Sequence, residues 1–126
     1  MSEGLNFHLT EEQEMFRKSV RELCEDKLAP RAAEIDEADE YPWDIDELFV
    51  KNGFAGVSYP EEYGGAGGGP VELCLLVEEI SRICAGVSLI PAVNKLGAIP
   101  VLLAGSDEQK KMVCSGITDG THRMSY

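Results

Sequence analysis

The chain has 126 residues, of which 44% are hydrophobic, and its formal net charge is −12. This length and apolar fraction are typical of one folded globular domain, which we expect to span residues 1–126, and not of a disordered chain. The negative charge argues against nucleic-acid and anionic-membrane partners, because both present phosphates that require a basic protein surface.

The first predicted helix begins at Thr10-Glu-Glu-Gln13, which has the pattern of a capping box. Pro30 should end or kink this helix, because proline lacks the backbone N–H that a helix interior needs. A second short helix is predicted from Pro30 to about Ala38. The apolar positions after the capping box recur at helical spacing and predict one buried stripe: Met15, Phe16, Val20, Leu23, Cys24 and Leu28.

The middle of the chain predicts a third helix and then irregular structure. Asp44 could cap a helix through Val50 that stops at Asn52-Gly53. The run Gly64-Gly-Ala-Gly-Gly-Gly-Pro70 indicates a loop. A phosphate-binding loop would need a preceding strand and a closing Lys-Ser/Thr pair, and the sequence shows neither. We therefore interpret the run as a flexible connection.

Three apolar or capped segments complete the predicted fold. Residues 71–84 form a strongly apolar helix candidate in which Glu78 and Arg82 are spaced for an ion pair. Residues 87–104 are nearly uncharged, and a helix there would be broken at Pro91. A second capping box at Ser106 starts a helix to about Cys114, and the tail could start a strand at Arg123. The sequence thus predicts an all-α fold of about six helices in an orthogonal or up-down bundle.

The cysteines and the N-terminal residues indicate in which cellular compartment the protein lies. The chain has four cysteines with no Cys-x-x-Cys pairing, at apolar positions that favour packing over metal binding. Residues 1–8 lack the basic start and apolar core of a signal peptide. Both observations favour the cytoplasm. Lys95 and two prolines in the apolar segment argue against a membrane span.

Side-chain chemistry alone indicates no active site and no metal site. The paired carboxylates are interpreted as solvated surface, and His8 and His122 as surface or terminal residues. Residues 88–96 could line a narrow apolar pocket, because their apolar side chains recur on adjacent helical turns. Ordinary core packing is the alternative interpretation of this segment.

Several short motifs, in a common order over residues 5–126, resemble the N-terminal helical domain of the acyl-CoA dehydrogenases. They are Leu9-Thr-Glu-Glu-Gln-Glu14, Leu28-Ala-Pro-Arg-Ala-Ala-Glu34, Gly53-Phe-Ala-Gly-Val57, Pro60-Glu-Glu-Tyr-Gly-Gly65, Val77-Glu-Glu-Ile-Ser-Arg82, Asn94-Lys-Leu-Gly97 and Ala104-Gly105 with Gln109-Lys110. Each motif is weak singly. Their shared order and spacing carry the resemblance.

The resemblance implies an enzyme that holds FAD and oxidises an acyl-CoA thioester between its α and β carbons. It also implies a β-barrel and a C-terminal helical bundle, both absent from these residues, a tetramer (homo- or hetero-oligomeric), and an electron-transfer flavoprotein or similar acceptor. Ser88, Leu89, Ala92 and Leu96 would then face the acyl chain, and Tyr126 would begin the flavin-contacting strand. Some relatives have a large polar residue at the position of Ala92, so this small side chain suggests a deeper pocket or a bulkier substrate.

We expect this chain alone to be inactive, because no residue in it matches the family's catalytic glutamate base. It would be a fragment or a truncated product of the enzyme. Two alternatives stay open. One is a related flavoenzyme, such as an acyl-CoA oxidase or a flavin monooxygenase, and the other is a free-standing, non-catalytic helical interaction module.

Overall fold

The chain folds as six α-helices and no strand within residues 7–125, which are the residues that a computed structural model describes. The all-α prediction is confirmed. The helices are α1 (Glu11–Leu23), α2 (Ala32–Ala38), α3 (Trp43–Lys51), α4 (Pro70–Ser81), α5 (Ala85–Ala104) and α6 (Asp107–Thr118).

The first helix begins as its sequence predicts, and its α-helical part ends at Leu23, earlier than Pro30 alone indicates. The Thr10 hydroxyl accepts a hydrogen bond from the Gln13 backbone N–H at 3.1 Å, and the Gln13 side chain accepts one from the Thr10 N–H at 3.0 Å. Ahead of Pro30, α1 widens into a π-helical turn, Cys24–Leu28, and then tightens into a 3₁₀ turn, Ala29–Arg31. Of the predicted buried stripe, Val20, Cys24 and Leu28 are buried and Phe16 and Leu23 are partly buried, but Met15 is exposed.

The prediction that Asp44 caps α3 is wrong. The helix begins at Trp43 after Pro42, so Asp44 lies in the first turn, where its carboxylate forms an ion pair with Arg31. A carboxylate in the first turn still interacts favourably with the positive end of the helix dipole. Gly53 follows the end of the helix with a left-handed φ of 77°, consistent with the predicted stop.

The glycine run after Tyr63 is a loop, as the sequence predicts, and it is held by hydrogen bonds along its length. Backbone N–H groups at positions 65 to 68 donate to carbonyls of residues 56 to 60, at distances between 2.8 and 3.0 Å. The loop ends at Gly69, whose N–H donates to the Glu72 carboxylate at 2.7 Å and starts α4. The same carboxylate accepts a hydrogen bond from Gln13, which ties α4 to α1.

Helix α5 is continuous over 20 residues although it contains Pro91 and Pro100, so the predicted break at Pro91 is wrong. Two side chains next to Pro91 bond to the helix backbone. Ser88 donates its hydroxyl to the Ala85 carbonyl at 2.6 Å, and Asn94 donates its amide N–H to the Ile90 carbonyl at 2.9 Å. Because Pro91 is itself buried, packing holds the helix together where proline alone would break it.

The core lies where α4 packs between α1 and α5, and a smaller cluster joins α5 to α6. Buried Glu79 on α4 binds Arg21 of α1, and Arg82 also donates to Glu79. The prediction that Arg82 pairs with Glu78 is therefore wrong, because Arg82 pairs with Glu79 instead.

The second capping box is confirmed: Ser106 and Gln109 exchange the two expected hydrogen bonds, and α6 continues past Cys114 to Thr118. Residues 122–125 have no regular secondary structure, so the predicted strand does not begin within them. Tyr126 lies outside the described residues.

Helix α5 is also long and apolar enough to cross a bilayer, judged by length and composition alone. In this fold 39% of its most apolar stretch is buried against other helices, and the core helix of a soluble protein passes the same test. The absence of a membrane span therefore stays a prediction.

Candidate functional site

Helix α5 presents an apolar face that nothing covers within the described residues. Leu89 is 56% exposed, Leu96 is 50% exposed and Leu103 is 80% exposed. Side chains three, four or seven residues apart share one face of a helix, which places Ala92 and Ile99 between these leucines. We call this surface, formed by Leu89, Ala92, Leu96, Ile99 and Leu103, the apolar face of α5.

An open cavity of about 640 Å³ adjoins the first half of this face. One wall is the N-terminal half of α5, the second is the link between α2 and α3, and the third is segment 122–125. Leu89 belongs both to the cavity and to the apolar face of α5. The other aliphatic or sulfur-containing side chains of its lining are Ile35, Pro42, Cys84, Val87, Ile90, Val93 and Met124.

One buried carboxylate joins the second and third walls. Asp46, on α3, is 1% exposed and accepts hydrogen bonds from the Tyr41 hydroxyl at 2.7 Å and from the Arg123 guanidinium, whose Nη2 lies at 2.8 Å. Burial, and next the hydrogen bond to Asp46, raise the pKa of Tyr41 to about 12. The bond to Asp46 likewise raises the pKa of Arg123, so the guanidinium stays charged at neutral pH.

Segment 122–125 is also attached to α5. The Met124 backbone N–H donates to the Asn94 side-chain oxygen at 2.7 Å. At Gly97, one turn further along, a Cβ atom would lie 2.7 Å from the Met124 Cβ, so only glycine allows this close approach.

Of the residues that the resemblance singles out, the structure brings three together. Leu89, Ala92 and Leu96 share the apolar face of α5. Ser88 does not belong to it, because it is 4% exposed and its hydroxyl donates within its own helix. Tyr126, the proposed flavin contact, lies outside the described residues.

The charges around the cavity do not suit a dinucleotide cofactor. Three carboxylates lie in its lining, those of Asp36, Asp39 and Glu40, and would repel a diphosphate. The one basic side chain there, Arg123, already pairs with Asp46. The lining of this cavity therefore does not fit FAD by itself.

Lys95, in the motif Asn94-Lys-Leu-Gly97, has a structural role. Its ammonium donates to the Ser58 carbonyl at 2.6 Å and lies 4.5 Å from the centre of the Tyr59 ring, and burial lowers its pKa. Among residues 7–125 no group of three or more His, Cys, Asp or Glu side chains is placed to hold a metal ion. His122 lies at the surface, as predicted.

Sequence reasoning missed Asp46 and Arg123. Asp46 was one acid among many, and Arg123 lay in a tail with too little pattern to interpret. The one available signal was that Asp46 follows Ile45 and precedes Phe49 on a helix whose inner face is apolar, so a charged residue there needs a partner.

Comparison with known proteins gives a consistent result. The family model described as acyl-CoA dehydrogenase, N-terminal domain, matches residues 10–121. A protein of Mycobacterium tuberculosis named probable acyl-CoA dehydrogenase FadE25 is 42% identical over 120 residues, which are 95% of this chain and 31% of that protein. The chain thus spans about a third of the length of such relatives.

Solved structures agree with the fold. Butyryl-CoA dehydrogenase from Megasphaera elsdenii superposes with a TM-score of 0.85 at 30% identity, over 94% of this chain and 32% of that one. A chain in a structure described as the electron transferring flavoprotein of Acidaminococcus fermentans superposes with a TM-score of 0.87 at 35% identity, over 94% and 32%.

Proposed function

The chain belongs to the acyl-CoA dehydrogenase family as an N-terminal domain, and from this we propose that its helix α5 forms one wall of an acyl-chain pocket. The pocket would belong to a longer protein, because the chain covers about a third of its relatives. That protein would dehydrogenate an acyl-CoA thioester between its α and β carbons.

The apolar face of α5 is the observation that carries this proposal. Leu89 and Leu96 are exposed, Ala92 is half-buried between them, and none of the three carries a charge, as an alkyl chain requires. Burying each methylene of such a chain contributes about 0.8 kcal/mol. The adjoining cavity extends this apolar surface past Leu89, so a chain lying along α5 could continue into it.

The remaining parts of the reaction are proposed for the longer protein. FAD, when bound, accepts the hydride. Because the cavity lining is acidic, the rest of the longer protein would hold the FAD. We propose no catalytic residue in this chain: its part is to bind the acyl chain and keep water from it. We propose that this protein passes its electrons to an electron-transfer flavoprotein or similar acceptor. It would assemble as a tetramer, act in fatty acid metabolism and lie in the cytoplasm.

Substitution of Ala92 by glutamate tests the wall. In the complete flavoprotein, Ala92→Glu should shorten the longest acyl chain accepted, measured with saturated straight-chain acyl-CoA thioesters of increasing length. The matched control is Ala104→Glu, which places the same side chain at the exposed end of the same helix. An unchanged chain-length preference in Ala92→Glu would refute the proposed wall.

The exposed apolar face also suits a non-catalytic module whose partner covers it. Intact-mass measurement of the protein from its own cells separates the two functions. A species about three times this mass, as three ordinary domains would give, supports the enzyme. A species of 13.8 kDa with one well-defined size-exclusion peak supports the module.

A further inference from the structure

The Asp46 side chain joins two walls of the cavity, the link between α2 and α3 and segment 122–125. Its carboxylate binds Tyr41 in the link between α2 and α3, and it binds Arg123, 77 positions later in the chain. We propose that Asp46 is a positioning residue: through Arg123 it fixes segment 122–125 as a wall of the cavity and so sets the affinity for the acyl chain.

The geometry of the pair is specific. Arg123 donates from Nε to one Asp46 oxygen and from Nη2 to the other, so the planar guanidinium and the carboxylate form a two-point contact. A third donor, Nη1, binds the His122 carbonyl at 2.8 Å and thereby orients the backbone of the segment itself. The contact fixes direction as well as distance, which a single hydrogen bond would not do.

Burial makes this contact hard to replace. Asp46 is 1% exposed, so its charge has little access to water and depends on Tyr41 and Arg123 for compensation. Within residues 7–125, Arg123 is the one positively charged group that donates to it. If Arg123 moved away, a buried charge would be left unpaired, and this cost keeps the segment in place.

Segment 122–125 forms neither helix nor strand, and its other contacts reach α5 and α6. The Met124 backbone N–H donates to Asn94 of α5, Met124 packs against the cluster between α5 and α6, and the His122 N–H donates to the Gly116 carbonyl of α6 at 2.8 Å. The pair with Asp46 attaches the segment to α3. Met124 and Ser125 line the cavity beside Asn94. Release of Arg123 would therefore free this wall from α3 and let it shift relative to the link between α2 and α3.

The affinity part of this inference rests on the proposed function, whereas the positioning part does not. Asp46→Asn keeps the size of the side chain and removes its charge. Asp44→Asn is the matched control, because Asp44 is an exposed carboxylate on the same helix, away from the cavity. Arg123→Lys keeps the charge and removes the two-point contact, and it serves if Asp46→Asn fails to fold.

Two measurements on the complete flavoprotein decide the inference. Hydrogen exchange at the Met124 amide should become at least about tenfold faster in Asp46→Asn, as loss of roughly one charged hydrogen bond implies, while amides of α4 stay unchanged. In the same variant the KM for a long-chain acyl-CoA should rise about tenfold, while kcat stays nearly constant. A shifted wall weakens substrate binding but does not contact the reacting atoms.

The outcomes separate cleanly. Unchanged exchange at Met124 would overturn the positioning role, and faster exchange with an unchanged KM would overturn the link to the acyl chain. If the parent protein binds no acyl-CoA, the proposed function fails, while the exchange result still decides whether Asp46 holds the segment.

Discussion

Arg21 and Glu79, 58 positions apart in the sequence, form the ion pair that joins α1 to α4. The guanidinium contacts the carboxylate at two points, 2.9 and 2.7 Å long. Glu79 is 2% exposed, and Arg82 donates to it as well at 2.9 Å. A carboxylate buried in the core is thus compensated by two arginines that themselves reach solvent.

Replacing Glu79 by glutamine should destabilise the fold by about 2 kcal/mol, the range for a lost charged hydrogen-bond network. The arginines can still be hydrated, which keeps the loss below that of a fully buried pair. Urea denaturation measures the change in the free energy of unfolding. Glu78→Gln, at the exposed neighbouring position, is the control and should change it by less than about 0.5 kcal/mol. Equal effects at the two positions would contradict this account.

The same pair predicts a pH dependence of stability. The hydrogen bond from Arg21 is the main reason that the pKa of Glu79 is lowered in the folded protein. The unfolded chain therefore binds the proton more tightly, so the stabilisation is complete above the ordinary glutamate pKa of about 4.3 and is lost as the pH falls below it. Free energies of unfolding measured through this window should fall less steeply for Glu79→Gln. Parallel curves for the two proteins would show that Glu79 is not responsible.

The sequence predicted the local features of this fold well and the long-range ones poorly. Both capping boxes, at Thr10 and Ser106, were correct because every atom they use lies within four residues. The partner of Arg82 was wrong because helical spacing alone does not tell which carboxylate faces the core. The continuity of α5 through Pro91 was missed for a related reason, since burial of that residue overrides its local preference.

The candidate site divides in the same way. Helical periodicity placed Leu89, Ala92, Val93 and Leu96 on adjacent turns, because a single element carries them all. The family resemblance added Ser88, although the helix turns it inward. The opposite walls of the cavity depend on the pairing of Asp46 with Arg123, and no local pattern relates residues that far apart.

Gly65 should tolerate no side chain. A Cβ atom there would lie 2.1 Å from the Tyr59 carbonyl oxygen, inside the loop whose N–H groups bind residues 56 to 60. Gly65→Ala should cost about 3 kcal/mol, since backbone must move to relieve the overlap. The contrasting variant is Gly86→Ala, because a Cβ there would meet nothing within 4 Å. This substitution should raise the free energy of unfolding by about 0.5–1 kcal/mol, since alanine favours a helix over glycine. Thermal denaturation of both variants gives the comparison, and a stable Gly65→Ala protein would show that the loop can open.

The four cysteines should differ sharply in reactivity, because alkylation requires the thiolate. Burial raises the pKa of Cys24 to about 11 and also raises that of Cys114, whereas Cys74 is exposed. At pH 8 iodoacetamide should therefore modify the exposed Cys74 quickly and leave Cys24 and Cys114 nearly unmodified. Peptide mass spectrometry at successive times measures the rates. In urea all four should react alike, and fast labelling of Cys24 without denaturant would mean that the contact between α1 and α4 opens in the native protein.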